Sequence, residues 1–189
     1  MKKKSDLEAL EPSLQLDTAL DDAHGAEAVV RVLKEQPLER VTAVSLADKG
    51  LDAAALAPIC DALSHAPKLE ALSLAHNPLG DEGVRLLTGL LGRVPLRMVS
   101  LEGVGATAQG AAVLAKALRG SKLEGLSLDD NELEDEGATA LAKGIDGMRL
   151  RFLSLCDVGM GARAYEALAP VLGKCPLEQL SLRHNLAED

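Results

Sequence analysis

The stretch LEGLSLDDNEL, residues 123–133, decides the fold. Leu126 and Leu128 alternate with small polar residues, as in a short strand with one buried face, and Asn131 follows in a segment rich in turn formers. The same eleven-residue pattern returns as LEALSLAHNPL at 69, LRMVSLEGVGA at 96, LRFLSLCDVGM at 150 and LEQLSLRHNLA at 177. A looser copy, VTAVSLADKGL, begins at 41, so the starts advance by 28 and then by 27 four times. Between strands, apolar or small residues fall four apart: Leu79, Gly83, Leu87, Leu91; Ala106, Gly110, Leu114, Leu118; Leu133, Gly137, Leu141, Ile145; and Met160, Ala164, Leu168, Leu172. That is the period of a helix with one buried stripe. Pro37, Pro67, Pro95 and Pro176 stand just ahead of the next strand, where a helix must stop. Each unit is therefore one strand, one turn and one helix, and because no unit buries its own apolar face, neighbours must stack into a continuous core.

An earlier, worn copy is visible: Leu14 and Leu16 stand to Gly25, Val29 and Leu33 as Leu72 and Leu74 stand to Gly83, Leu87 and Leu91. The expected organisation is an N-terminal capping segment over 1–12, then a single repeat domain over 13–189. The domain comprises a degenerate repeat over 13–40, repeats starting near 41, 69, 96, 123 and 150, and a partial last repeat from 177. Pro58 and Pro170 fall inside two of the helical stretches, which predicts irregular or late-starting helices there.

The pattern LxxLxLxxNxL at a 27-residue spacing resembles leucine-rich repeats, and the full helix per repeat is similar to the ribonuclease-inhibitor-like subfamily. A second period supports the likeness. Asn77, Asn131 and Asn185 occupy the Asn position in alternate repeats, with Lys49, Val104 and Val158 between them. Ribonuclease inhibitors alternate Asn and Cys repeats in this way; this chain departs from them in carrying Val or Lys where they have Cys. The resemblance implies an α/β solenoid, a horseshoe arc with a parallel β-sheet on the concave face and α-helices on the convex face. It also implies a role in binding other proteins through the concave face. Within the turn, the Asn side chain is expected to tie down backbone groups. The Gly that follows Lys49, Val104 and Val158 predicts a different turn geometry where Asn is missing.

Composition fits thin, regular layers. Hydrophobic residues make up 47% of the 189, yet there is one Phe, one Tyr and no Trp, so the core is built from Leu, Ala and Val. The net charge of -9 argues against a nucleic-acid partner, which a basic surface would have to attract. No stretch approaches the length of a membrane span, and Lys2, Lys3 and Lys4 run into acidic residues rather than an apolar signal core. Cys60, Cys156 and Cys175 have no paired spacing, which predicts free thiols and a cytoplasmic protein. No sequence motif calls for a cofactor or a metal.

Strand periodicity projects the x positions of LxxLxLxx into columns on the concave sheet. One column reads Thr42, Glu70, Arg97, Glu124, Arg151, Glu178, so acid and base alternate between neighbours. It is either a recognition stripe or a ladder of pairs that neutralise one another. Another is unbroken serine: Ser45, Ser73, Ser100, Ser127, Ser154 and Ser181. No serine has a neighbouring His and Asp of its own, so the column offers no triad and no catalysis is expected. Met98 and Phe152 are the large apolar groups on this surface, as anchors for a partner or as local packing over Gly125. Glu102, Asp129, Asp130 and Asp157 gather at the strand exits, with Arg183 further along, and suit a partner with a basic surface or a merely solvated edge. The candidate partner-binding residues are thus Arg97, Met98, Glu102, Asp129, Asp130, Arg151, Phe152, Asp157 and Arg183.

The sixth repeat ends after its strand and turn, which predicts an exposed edge suited to a homodimer or to further repeats. The leading expectation is a non-catalytic scaffold for a protein partner. Two alternatives stand beside it: a GTPase regulator of the Ran GTPase-activating protein type, which shares the repeat, and a structural or self-assembly module.

Overall fold

The computed structural model describes Leu20, Ala23 and residues 25–186. The expected capping segment over 1–12 and the strand expected around Leu14 and Leu16 lie outside the described residues. The elements alternate along the chain: α1 (Ala26–Glu35), a 3-10 turn (Leu38–Arg40), β1 (Ala43–Ser45), α2 (Ala53–Leu63), β2 (Ala71–Ser73), α3 (Gly80–Leu91), β3 (Met98–Ser100), α4 (Ala108–Leu118), β4 (Gly125–Ser127), α5 (Glu134–Ile145), β5 (Phe152–Ser154), α6 (Ala162–Leu172) and β6 (Gln179–Ser181). The six strands form one parallel sheet in sequence order, open at both sides. Their register is the one the columns require: Ala43, Ala71, Met98, Gly125, Phe152 and Gln179 stand side by side, as do the six serines.

The core lies between this sheet and the helices. The central residue of each of the first five strands, Val44, Leu72, Val99, Leu126 and Leu153, is buried, and so are Leu46, Leu74, Leu101, Leu128 and Leu155 one step beyond. The helices close the other side with the stripe their period assigned, including Val29 and Leu33, Leu87 and Leu91, Leu114 and Leu118, and Leu141 and Ile145. Each Leu taken fully out of water contributes roughly 1.5–3 kcal/mol, so stacking repeats is what makes short strands of three residues stable.

Asn77 and Asn131 are buried polar side chains, and they explain the alternation of repeats. Asn77 Nδ2 donates to the carbonyl oxygens of Leu74 and Ala75 in its own turn and of Leu46 in the preceding repeat, at 2.7–3.1 Å. Its Oδ1 accepts from the backbone N–H of Lys49 and Leu51, again in the preceding repeat. Asn131 serves Leu128, Asp129, Leu101 and Ala106 in the same way. Asn185 repeats the scheme with Leu182, Arg183, Leu155, Val158 and Met160. One amide therefore satisfies two turns, and the turn of the intervening repeat needs no Asn of its own. The expected change of geometry accompanies it: Gly50, Gly105 and Gly159 all take positive φ, at 64°, 72° and 73°.

A second set of bonds runs the other way. Asp81, in the first turn of α3, accepts from the N–H of Thr107 and Gly110 and from the Thr107 hydroxyl at 2.7–2.9 Å, so it caps α4 in the following repeat. Asp135 in α5 does the same for α6, through Gly161 N–H at 2.8 Å and Ala164 N–H at 3.0 Å. The repeat frame puts Ala23 where Asp81 stands, and there α2 is capped by its own Asp52, which accepts from Ala55 N–H at 2.8 Å.

The expectation of irregular helices at the prolines is corrected. α2 runs unbroken through Pro58 and α6 through Pro170, and both rings are exposed. On the solvent side a helix carbonyl can tilt outward to water, which accommodates a ring that lacks an N–H. α2, α4 and α6 do start one residue later in their repeats than α3 and α5, but α4 has no proline, so the later start belongs to the turn without Asn.

A candidate protein-binding trough on the concave sheet

The sheet face opposite the helices carries a trough of about 490 Å³ lined by Ala43, Ala71, Met98, Phe152, Glu102 and Asp129, with serines of the ladder along its floor. Small residues make it. Ala43 and Ala71 leave space in the column that Met98 and Phe152 occupy further along. Gly125 has a definite part: a Cβ there would collide with the thioether of Met98 and would lie 3.4 Å from Phe152 Cβ. Met98 therefore lies across Gly125 toward Phe152. The group that covers Gly125 is Met98 rather than the phenyl ring alone, and Met98 remains 42% exposed while Phe152 is half-buried.

The charged stripe beside the trough is internally paired. Arg97 gives two hydrogen bonds to the Glu124 carboxylate, at 2.6 and 2.8 Å. Arg151 Nε donates to Glu178 at 2.9 Å, and Arg151 also lies 4.0 Å from Glu124. The hydrogen bond from Arg97, and then its charge, hold the Glu124 carboxyl below the usual carboxylate range. Screened as they are, these pairs orient the strands' side chains more than they stabilise them.

The acidic strand-exit residues separate into two groups. Asp129 is engaged: Oδ2 accepts from the Ser154 hydroxyl and Oδ1 from the Cys156 N–H, both at 2.7 Å. Asp130 and Asp157 have φ of 55° and 51°, as Asp48 has 57°, His76 55°, Gly103 59° and His184 59°. This column is the left-handed residue of every strand-exit turn, a conformation Asp, His and Gly tolerate, so backbone geometry accounts for its residue types. The carboxylates of Asp130 and Asp157 nonetheless point from an exposed rim without a hydrogen-bond partner among the described residues. Glu102 is half-buried and lies 3.4 Å from His76 Nε2. Of the residues singled out in the sequence, Met98, Phe152, Glu102 and Asp129 line the trough together. Arg97 and Arg151 flank it on the strand-entry side, and Asp130, Asp157 and Arg183 lie on the strand-exit side.

Cys156 is a member of this surface that the sequence did not single out. Its Sγ lies 2.9 Å from Ser181 Oγ and 3.7 Å from Ser154 Oγ. Burial resists its ionisation, but the hydrogen bonds from Ser181, Ser154 and the Arg183 backbone outweigh burial and place the thiol below its ordinary range. Cys60, by contrast, is pushed up to about 11 by burial within the helical layer. Among the described residues no group of three or more His, Cys, Asp and Glu side chains is placed to hold a metal ion, and no helix is long and apolar enough to cross a membrane.

Two windows, residues 65–87 and 121–142, match the leucine-rich repeat family, each running across a strand, its turn and most of the helix that follows. The fold is that of a leucine-rich-repeat solenoid. Solved structures of the same shape include the C-terminal domain of tropomodulin from Caenorhabditis elegans, 16% identical with a TM-score of 0.62, where the likeness covers 79% of this chain and 92% of that one. Actin-binding site 2 of leiomodin-1 is 16% identical with a TM-score of 0.63, covering 77% and 86%. A chain of the TLR13–ssRNA13 complex is 19% identical with a TM-score of 0.50, and there the likeness covers 86% of this chain but 22% of the other. At these identities the likeness is one of fold. No curated protein matches the sequence.

Proposed function

We propose that the solenoid is a non-catalytic scaffold that holds a protein partner in the concave trough, with Met98 and Phe152 as apolar anchors. The observation that carries this reading is Met98: a large apolar side chain, 42% exposed, laid across Gly125 in a trough otherwise floored by Ala and Ser. Apolar anchors in a concave, otherwise polar surface are where interface energy concentrates. Glu102, Asp130 and Asp157 along the exit rim favour a partner that brings Lys or Arg to that side, while Arg97 and Arg151, already paired, set the opposite boundary. The 27-residue unit, its full helix and the alternating Asn support a place in the ribonuclease-inhibitor-like subfamily, and three free cysteines support a reducing, cytoplasmic setting.

The test is affinity capture with the native chain, a Met98→Glu variant and a Glu102→Lys variant as parallel baits, each checked for native circular dichroism. A protein retained by the native chain and lost by both variants is the expected result. Equal retention by all three baits overturns the concave-face reading.

A second reading, self-association through β6, has an observation of its own. Leu180 occupies the strand centre whose five counterparts are buried and is 45% exposed, so a sheet edge of this chain or of a further repeat fits against it. A sedimentation series from low to high protein concentration, native against Leu180→Lys, separates it: self-association through this edge requires a dimer that the substitution abolishes.

A further inference from the structure

All the helices run parallel, with N-termini at the strand-exit side and C-termini at the strand-entry side. Charge follows. In the middle of the array the exit side carries acids, and the entry side collects Lys116, Arg119, Lys122, Lys143 and Arg149 around the loops that leave α4 and α5. Part of this is accounted for by the helix ends. Lys116 and Lys143 lie in the last turns of α4 and α5, where cations complement the helix dipole, and Arg119 donates to the Lys143 carbonyl oxygen at 3.1 Å. Lys122 and Arg149 lie beyond the helices, and that account does not reach them.

Two concavities meet at these loops. A convex groove of about 580 Å³ has an apolar floor of Ala112, Ala115, Ala140 and Gly144, with Lys116, Arg119 and Lys143 along it. The floor is low because α4 and α5 are in backbone contact: a Cβ on Gly144 would lie 2.5 Å from the Ala115 carbonyl oxygen. Round the edge, a second hollow of about 530 Å³ is lined by Lys122, Leu123, Met148 and Arg149. Four carboxylates also line the two hollows: Glu136 stands in the first turn of α5 at the strand-exit end of the groove and Glu70 faces Arg97 across the second hollow, while the other two, Asp135 and Glu124, are engaged, as is Asp146 nearby. Asp135 caps α6, Asp146 meets Lys174 at 3.4 Å, and Glu124 is held by Arg97. Lys116, Lys122 and Lys143 have no carboxylate partner among the described residues, and Arg149 feels Glu124 only at a distance.

We infer that this strand-entry edge is a second interface, separate from the concave trough, for an acidic segment of a partner protein that carries small or aliphatic side chains. The carboxylates meet Lys122, Arg149, Lys116 and Lys143, and the apolar side chains lie on the Ala112–Ala140 floor and against Met148. A local positive field in a chain of net charge -9 selects a short acidic segment over a long polyanion, which the rest of the molecule repels. No aromatic side chain lines either hollow, so neither offers the stacking platform that single-stranded nucleic acid uses.

The experiment is fluorescence anisotropy with a labelled twelve-residue peptide of alternating Glu-Glu-Leu-Ala character against the full chain at low salt. Lys122→Glu with Arg149→Glu is expected to weaken binding about 10-fold or more, 0.3 M salt is expected to do likewise, and Met98→Glu is expected to leave it unchanged. Because Met98→Glu removes the concave anchor, its effect distinguishes failure of this interface from failure of the trough. Absence of binding by the native chain, or an affinity indifferent to the Lys122 and Arg149 reversal, overturns the proposal. So does a single-stranded oligonucleotide that binds more tightly than the peptide and is lost in the same variants, an outcome that assigns the edge to nucleic acid instead. A peptide copying residues 5–12, itself acidic and leucine-bearing, serves as a competitor: displacement at lower concentration than the probe assigns the edge to the chain's own N-terminal segment rather than to a partner.

Discussion

Repeats that carry Asn and repeats that lack it look interchangeable in outline, with the same strand, the same register and helices of nearly the same length. Their polar bonding is not interchangeable. The repeats from 69 and from 123 reach in both directions, Asn77 and Asn131 backward into the preceding turn and Asp81 and Asp135 forward onto the next helix. The repeats from 41, 96 and 150 receive these bonds and return few. The structural unit is therefore a pair of repeats, and a repeat without Asn is tolerated because its turn is satisfied from outside. Nearest-neighbour coupling of this kind is how a solenoid turns local stability into cooperativity.

The comparison breaks most severely at Asn131. Asn131→Ala leaves buried carbonyls of Leu101 and Leu128 and the N–H of Ala106 without partners, in two repeats at once. We expect a loss of about 3–5 kcal/mol in urea denaturation. Asn185→Ala, at a more exposed turn, is expected to cost about 1–2 kcal/mol, since water replaces part of the bonding there. Equal losses at the two sites would show that burial of the shared amide is not what matters.

A gain of Asn tests the same idea from the other side. Val104 is buried at the Asn position of an intervening repeat. If each turn simply lacked an Asn, Val104→Asn would stabilise. Because Asn131 already bonds the Leu101 carbonyl and the Ala106 N–H, the new amide finds its partners taken, and we expect a cost of roughly 1–3 kcal/mol.

The forward bonds differ in how much they carry. α4 keeps a cap of its own, since Thr107 Oγ1 accepts from Gln109 N–H at 3.2 Å, whereas the N-cap of α6 is Gly161, which has no side chain to offer. Asp135→Ala is therefore expected to cost about 2 kcal/mol and Asp81→Ala about 1 kcal/mol, by thermal unfolding of the two variants. Amide exchange at Gly161 and Ala164 in the first variant, and at Gly110 in the second, locates the loss.

Much of this architecture was legible in the sequence. The strand columns, the helix stripes and the serine ladder follow from periods of two and of three to four residues, which the linear chain displays directly. Asn77 and Asn131 were legible as turn residues, but not as residues that serve two turns, because their second set of partners lies 25–31 residues back and stacking alone brings it near. The forward capping was signalled by Asp81-Glu82-Gly83 and Asp135-Glu136-Gly137 recurring in the Asn repeats, although spacing does not say across which gap an Asp side chain will reach. At the candidate site, the column that brings Met98, Gly125 and Phe152 together was readable. The lie of Met98 across Gly125 was not, since it depends on a flexible side chain choosing among rotamers. The acidic exit cluster was visible as composition, whereas its division into the engaged Asp129 and the turn-forced Asp130 and Asp157 required the backbone angles.

The smallest expected effect lies within the Asn repeats themselves. Gly80 and Glu134 hold the same position at the start of α3 and α5, and both take positive φ, 59° and 54°. Glycine adopts that conformation freely; glutamate does so against its Cβ, at a cost of roughly 1 kcal/mol. Opposing this, Glu134 places a negative charge at a helix N-terminus, worth about 0.3–1 kcal/mol, and glycine is the more mobile residue when unfolded. Glu134→Gly should therefore leave stability within about 0.5 kcal/mol of the native chain, whereas most non-glycine to glycine changes in helical segments cost about 1 kcal/mol. Gly80→Glu is expected to mirror it, changing stability just as little. A loss of about 2 kcal/mol or more in either direction would mean that the two Asn repeats, alike in sequence and in clamping, do not share one turn geometry after all.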